Sequence, residues 1–159
     1  MEQDLSSPSA ERLRAWRLFF ESALALNDVL GAELEHAVDL PLRWYDVLVQ
    51  LEDSPEGIPM NVLADRILHS KSGFTRVIDR MEEAELVRRV RPEYDRRMIL
   101  VVLTDKGIAT MEEARLYHRD GIERHFSEHL TDADVKALTR TLEKISTHAR
   151  PLRPGRIRG

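Results

Sequence analysis

The sequence contains no cysteine, and that absence excludes several kinds of chemistry. Without thiols the chain forms no disulfide, no thiolate metal site and no thiol redox switch. A Gly-rich phosphate loop, a nucleophile elbow and a metalloprotease spacing are also missing, so no enzymatic motif is present. No apolar run approaches the roughly 20 residues that span a bilayer, and no signal-peptide pattern opens the chain. We therefore expect a cytoplasmic protein that is not an enzyme, carries no cofactor and has no membrane partner.

An overall excess of positive charge is also missing, because 24 basic and 28 acidic residues leave a net charge of −4. The charges are nevertheless unevenly distributed. Residues 66–97 hold nine Lys and Arg against six Asp and Glu, whereas the rest of the chain holds 15 basic and 22 acidic residues. Chance alone can produce such an imbalance in a window of this length. The distribution is compatible with an acidic body that carries a basic nucleic-acid-binding region.

The chain does contain a hairpin pattern between Leu86 and Gly107. Branched and apolar side chains, which pack well on a pleated surface, favour two strands here: Val87, Val90 and Met98–Leu103. Pro92 cannot donate to a strand ladder and stands where a hairpin would turn. The turn carries three charged residues side by side: Asp95, Arg96 and Arg97. An arginine tip suits a narrow DNA groove, although a hairpin taken alone is more often a solvated surface element.

Two short helices are predicted just before the hairpin. Asn61 can cap the first, which runs to about Leu68, and Ser70 can cap the second, which runs to about Ala84. Four apolar residues of the second helix fall at i, i+3, i+4 and i+7 and should pack inward: Phe74, Val77, Ile78 and Met81. The opposite face is polar: Lys71, Ser72, Thr75, Arg76 and Asp79.

That polar face has the chemistry of a DNA major-groove reader. Hydroxyl groups reach phosphates or base edges, arginine can fork onto guanine, and a helix N-terminus attracts phosphate. Two helices joined by a short turn and followed by an arginine-tipped hairpin form a winged helix-turn-helix. We predict these DNA-contacting residues: Asn61, Ser70, Lys71, Ser72, Thr75, Arg76, Arg96 and Arg97.

The segment from about Asn61 to Gly107 resembles the DNA-binding lobe of the MarR family of bacterial transcriptional regulators. The matching residues are, in chain order, Leu63-Ala64, Ser72, Thr75-Arg76, Asp79-Arg80-Met81-Glu82, Leu86-Val87, Arg89, Asp95-x-Arg97 and Leu103-Thr104-x-x-Gly107. The last two motifs are the family's most specific signature, and the resemblance extends over roughly residues 10 to 148. It implies that Asp95 braces the wing and that Arg97 enters the minor groove.

Two features set this chain apart within the family it resembles. Glu85 stands where the family usually has glycine, and a left-handed backbone there would cost on the order of 1 kcal/mol. The lack of cysteine also excludes the cysteine-oxidation mechanism of the peroxide-sensing members.

Helices are predicted on both sides of the DNA-binding lobe. One runs from Ala10 to about Ala37, and a second follows Pro41. Thr104 can cap a third that reaches about Glu128, and Thr131 with Asp134 resembles a capping box for the last. We therefore predict a single domain, mainly α with a small β-hairpin. Its parts are a winged helix-turn-helix at 41–104, dimerisation helices at 10–37 and 105–148, and flexible ends at 1–9 and 149–159.

The resemblance also implies assembly and regulation. MarR-like proteins form two-fold dimers that place two recognition helices roughly 34–36 Å apart, which implies a pseudo-palindromic operator. They often bind a small aromatic or anionic ligand in a cleft between the dimer helices and the DNA lobe, and the ligand releases the repressor from its operon. The residues proposed for such a pocket are Trp16, Arg17, Phe20, Arg43, Trp44, Tyr45 and His118. Aromatic residues at helical spacing also suit a core or a dimer interface.

Two alternative functions remain open from the sequence. His118, His125 and His129 lie at i, i+7 and i+11 of one predicted helix and could bind zinc with Glu128 or His36. No cysteine assists them, and the ligand pattern of zinc-sensing relatives is not recognisable, so solvated histidines are the simpler interpretation. The second alternative is a winged-helix protein-interaction module that never contacts DNA.

Overall fold

The computed structural model describes residues 7–67 and 73–149. In chain order it contains α1 (Ala10–Val38), α2 (Leu42–Leu51), β1 (Ile58–Pro59), α3 (Met60–Arg66), α4 (Phe74–Glu83), β2 (Val87–Val90), β3 (Leu100–Leu103), α5 (Asp105–His125), a 3-10 turn (Ser127–His129) and α6 (Asp132–Ala149). The predicted fold class, mainly α with a small β element, is confirmed. None of the described helices is both long enough and apolar enough to cross a membrane.

Local capping signals define where three helices begin. The Ser9 hydroxyl accepts a hydrogen bond from the Arg12 N–H at the start of α1. Thr104 caps α5 by accepting from the Gly107 N–H at 2.9 Å, as predicted. Thr131 and Asp134 form the predicted capping box, because each side chain receives a hydrogen bond from the backbone N–H of the other.

The core lies between α2, α4, the sheet and the middle of α5. Its largest fully buried side chains include Leu48, Leu63, Ile78, Met81, Val101 and Met111. The predicted inward stripe of α4 is confirmed, since Phe74, Ile78 and Met81 are buried and Val77 packs against them. Burying this stripe leaves the opposite face of α4 in solvent.

The sheet has three antiparallel strands in the order β1-β3-β2. The predicted hairpin corresponds to β2 and β3, which pair from Val87 opposite Leu103 to Val90 opposite Leu100. The second strand begins at Leu100, two residues later than predicted. Strand β1 was not predicted, because two residues that include a proline carry no alternation, and only their pairing with β3 reveals a strand.

Both helix-turn-helix starts differ from the prediction. Asn61 does not cap α3, because Met60 already donates its backbone N–H to the Ile99 carbonyl and the helix begins there, directly after β1. Helix α4 begins at Phe74 with Gly73 as its N-cap, three residues later than a start directly after Ser70 would require. Gly73 has a left-handed backbone with φ of 70°, which glycine adopts without steric cost.

Glu85 occupies the turn that joins α4 to β2, and its φ is +61°. Glu85 therefore has the left-handed backbone that the family's usual glycine would adopt without cost. The Thr104 hydroxyl donates to the Glu85 carbonyl at 2.5 Å and also contacts the Leu86 carbonyl at 3.1 Å. These contacts hold a conformation that costs a non-glycine residue about 1 kcal/mol.

Candidate nucleic-acid interface

The exposed face of α4 begins with Thr75 and Arg76, both in its first turn and both open to solvent. Arg76 makes no ion pair with any other described residue. Asn61 is exposed in the first turn of α3. The other predicted contacts on this side, Ser70, Lys71 and Ser72, lie outside the described residues. The described part of the face therefore offers one hydroxyl, one amide and one unpaired guanidinium.

The wing is the turn between β2 and β3. The Asp95 carboxylate accepts a hydrogen bond from the Arg97 backbone N–H at 3.0 Å, and the Met98 N–H donates to the Asp95 carbonyl at 3.1 Å. Asp95 thus contacts the main chain of the turn, and among the described residues it forms no ion pair with the Arg97 side chain. The side chains of Arg96 and Arg97 remain exposed at the tip.

Tyr94 also projects from the wing tip, with 80% of its surface exposed. Sequence reasoning did not single it out, because a tyrosine in a strand-rich segment is ordinarily assigned to packing. An exposed ring on a wing that also carries Arg96 and Arg97 offers an apolar surface for a nucleotide sugar or base edge.

Arg89 connects the wing to α4, a role that the sequence analysis did not assign. Its backbone N–H donates to Glu82 Oε1 at 2.8 Å and its Nη1 to Glu82 Oε2 at 2.5 Å, while Nη2 donates to Asp79 Oδ1 at 2.6 Å. Partial burial alone would lower the pKa of Arg89, but the hydrogen bonds that its guanidinium donates to the Asp79 and Glu82 carboxylates outweigh burial and raise that pKa. Asp79, which the pattern placed on the reading face, is therefore engaged within the protein.

A sequence model described as the MarR family matches residues 38–98. AbsC, a MarR family transcriptional regulator from Streptomyces coelicolor, shares 33% sequence identity with this chain. Its crystal structure matches the fold with a TM-score of 0.82, and the match covers 92% of this chain and 99% of AbsC. The chain belongs to the MarR family.

Two further relatives agree with the MarR assignment. Sco3205, a MarR family transcriptional regulator from Streptomyces coelicolor solved in complex with DNA, is 26% identical with a TM-score of 0.84 over 96% of this chain and 94% of its own. The HTH-type transcriptional regulator MhqR of Bacillus subtilis is 28% identical over 58% of this chain. That match spans 63% of the length of MhqR. The family consists of transcriptional regulators with a winged helix-turn-helix, and such regulators are not enzymes.

The residues predicted for a ligand pocket are only partly brought together in this MarR chain. Tyr45 of α2 and His118 of α5 are in contact, with ring centroids 4.9 Å apart. Trp16 and Phe20 stack on each other at 5.7 Å near the start of α1. Helix α2 contacts α1 at Gly31, so Trp16 lies 15 residues, or about 22 Å, from that junction along the helix.

The Tyr45–His118 contact is the more enclosed of the two aromatic pairs. Burial raises the pKa of the Tyr45 hydroxyl, an effect that the charge of Arg115 partly offsets. Burial also lowers the pKa of His118, so its neutral form is favoured. The His118 Nδ1 atom is buried and finds no hydrogen-bond partner among residues 7–67 and 73–149. Arg43 and Trp44 precede Tyr45 in α2, where both are half-buried, whereas Arg17 lies on the exposed part of α1.

The proposed histidine metal site is not formed. Helix α5 ends at His125, so His129 belongs to the following 3-10 turn with Glu128 and does not share a helix face with His118. His125 instead contacts Glu33 of α1 at 2.7 Å. No group of three histidine or acidic side chains in the described part of the chain could hold a metal ion. The predicted helical spacing of the three histidines does not extend to His129, because the helix ends at Phe126, which has φ of −134° and ψ of −60°.

A charged network joins the ends of α1 and α5. Arg124 donates to both carboxylate oxygens of Glu33 at 2.9 and 3.0 Å, and its Nε donates to Asp120. Hydrogen bonds from Arg124 first and His125 second hold the pKa of Glu33 at about 2. The two helices approach closely here, because a Cβ at Gly121 would lie 2.7 Å from Leu30.

Proposed function

We propose that this MarR-family regulator binds double-stranded DNA in the cytoplasm as a two-fold dimer and represses a nearby operon. The supporting observation is that a single lobe exposes Arg76 on α4 and Arg96 with Arg97 on the wing, none of them paired with another described residue. Helix α4 has the dimensions of a major-groove reader, and an arginine tip suits the adjacent minor groove. The described hydroxyl of Thr75 and the predicted Ser70, Lys71 and Ser72 would add phosphate and base contacts, as would Asn61.

Dimerisation is supported by helices that have nothing to cover them within one chain. Every described residue from Ser7 to Ala25 is exposed, and α6 buries none of its residues. Eight large apolar side chains are among the exposed ones: Leu13, Trp16, Leu18, Phe19, Phe20, Leu24, Val135 and Ile145. Beside them lies a groove of about 790 Å³ between α1, the end of α5 and α6. Large exposed apolar side chains on two helices that border an apolar groove mark an interface, and we propose that a second copy covers it.

Two arginine variants test DNA binding. Arg97→Ala should weaken binding to an operator selected from random duplexes about 10- to 100-fold, because it removes the minor-groove contact. Arg76→Ala should cost about 1–3 kcal/mol and relax the preference for guanine at one position, because a bidentate base contact is lost. Fluorescence anisotropy with the selected site and with single-base variants measures both effects. Circular dichroism checks that each variant remains folded.

Three results would contradict the proposed DNA-binding roles. Unchanged affinity of Arg97→Ala at moderate salt would exclude the wing-tip role, and a uniform loss on all sequences would make Arg76 a phosphate contact. DNA affinity should fall steeply with salt, because bound phosphates release counterions. Failure to enrich any duplex would favour the protein-interaction module instead.

We further propose that a small aromatic or anionic ligand releases the repressor. The support is His118, whose buried Nδ1 lacks a partner in the described chain and whose ring contacts Tyr45. Buried polar atoms are ordinarily hydrogen-bonded, so a ligand that supplies the missing bond gains affinity there. Arg43 and Trp44 would line the same side of the cleft, whereas Trp16, Arg17 and Phe20 would reach it only across a dimer.

A ligand panel tests the proposed pocket. Benzoate or phenol should raise the operator Kd about fivefold or more for the wild type, in the range of ordinary coupling energies, and His118→Ala should respond less. His148→Ala, which changes an exposed histidine of α6, is the matched control and should respond like the wild type. No response to any aromatic probe, or an equal response from His118→Ala, would exclude this site.

A further inference from the structure

The two DNA-contacting groups proposed above belong to different elements, so their relative orientation has to be maintained. Arg76 lies on α4, one turn before Asp79. The wing tip starts directly after β2, two residues beyond Arg89. Core packing holds the buried sides of both elements through Met81 and Val87, but it does not reach the exposed side of α4. On that side, the described contacts between α4 and β2 are those of Arg89.

The Arg89 contacts have the features of a rigid connection. Glu82 accepts from the backbone and the side chain of the same arginine, and Asp79 accepts from the remaining end of the guanidinium. The arginine side chain is 23% exposed, so solvent competes with these bonds only weakly. Charge-assisted bonds to a planar guanidinium restrict direction as well as distance.

We propose that Arg89 is a positioning residue, which holds the wing at the angle that lets Arg97 and the α4 face engage adjacent grooves together. This proposal rests on the DNA-binding function proposed above. It differs from a direct phosphate contact, because the guanidinium is already engaged by two carboxylates. The three charges of Arg89, Asp79 and Glu82 sum to −1, so the group as a whole repels phosphate. The group therefore does not attract DNA, and its position beside the reading face suits a role in orienting the wing.

The sign of a charge-removing mutation distinguishes these roles. Glu82→Ala removes a negative charge near DNA and also removes the partner of Arg89. Positioning predicts that operator binding weakens about tenfold, whereas electrostatics alone predicts that it strengthens. Glu83→Ala is the matched control, since it removes the same charge from the neighbouring exposed position of α4. Its affinity should equal or exceed that of the wild type.

A double-mutant cycle on the full-length protein completes the test. In an Arg89→Gln background, the loss caused by Arg97→Ala should shrink to within about threefold, because a displaced wing no longer presents Arg97. Additive losses, or Glu82→Ala binding as well as Glu83→Ala, would overturn the positioning role. Thermal unfolding identifies any variant that fails to fold, and the cycle can then be run with Glu82→Ala in place of Arg89→Gln. Absence of wild-type operator binding would instead overturn the proposed function itself.

Discussion

Gly107→Ala should lower the free energy of unfolding by about 3 kcal/mol, the upper range for overpacking a fully packed site. A Cβ at this position would lie 2.0 Å from the Leu86 carbonyl oxygen. That oxygen belongs to the backbone and is held by hydrogen bonds from the Thr104 N–H and hydroxyl, so it cannot move aside cheaply. The third position of α5 must therefore lie directly against the end of the α4–β2 turn.

Gly31→Ala is the control for this prediction. Gly31 lies within α1, and its added Cβ would meet Leu42 at 3.6 Å, which is ordinary contact. Replacing a helical glycine by alanine here should stabilise by up to about 1 kcal/mol. Urea unfolding at one fixed protein concentration measures both, because assembly makes stability concentration-dependent. Equal stability of the two variants would contradict the close approach at Gly107.

Phe19→Glu should convert the proposed dimer to a monomer and weaken operator binding at least about 100-fold, because burying an unpaired carboxylate in an apolar interface is costly. Phe19 lines the groove between α1, α5 and α6. A dimer binds both half-sites of the operator at once, whereas two separate monomers bind each half-site independently and weakly. Sedimentation velocity at micromolar concentration measures the assembly state, and anisotropy measures the affinity.

Leu116→Glu provides the comparison for the interface. Leu116 is 69% exposed on α5 and does not line the groove, so the charge it gains should leave assembly unchanged. If the two variants dissociate equally, the interface does not lie at the groove. If Phe19→Glu remains dimeric, the proposal that a second copy covers this face is wrong.

Much of the fold is encoded in short stretches of sequence. Thr104 and the Thr131–Asp134 box are recognisable because a capping side chain bonds backbone groups three residues away. The inward stripe of α4 is recognisable because helical periodicity repeats within two turns. The Asp95-x-Arg97 motif is local as well, since its hydrogen bond spans two residues.

The features that sequence reasoning missed depend on distant partners. Strand β1 exists because it pairs with β3 some 40 residues later, and that pairing moves the start of α3 from Asn61 to Met60. The end of α5 at His125, where that side chain meets Glu33 across 92 positions, removed the histidine triad. Arg89 could be recognised as part of a motif, but its carboxylate partners could not.

The residues alone therefore indicate the family, the fold class and the order of the helices and of the β2–β3 hairpin, because caps, periodicity and turn motifs act within a few residues. They also establish that no thiol chemistry is available, since cysteine is absent. How α4 and the wing are held together, where the apolar groove lies and how close Gly107 comes to Leu86 follow from folding. These features depend on contacts between residues far apart in the chain, and short-range sequence patterns do not predict such contacts.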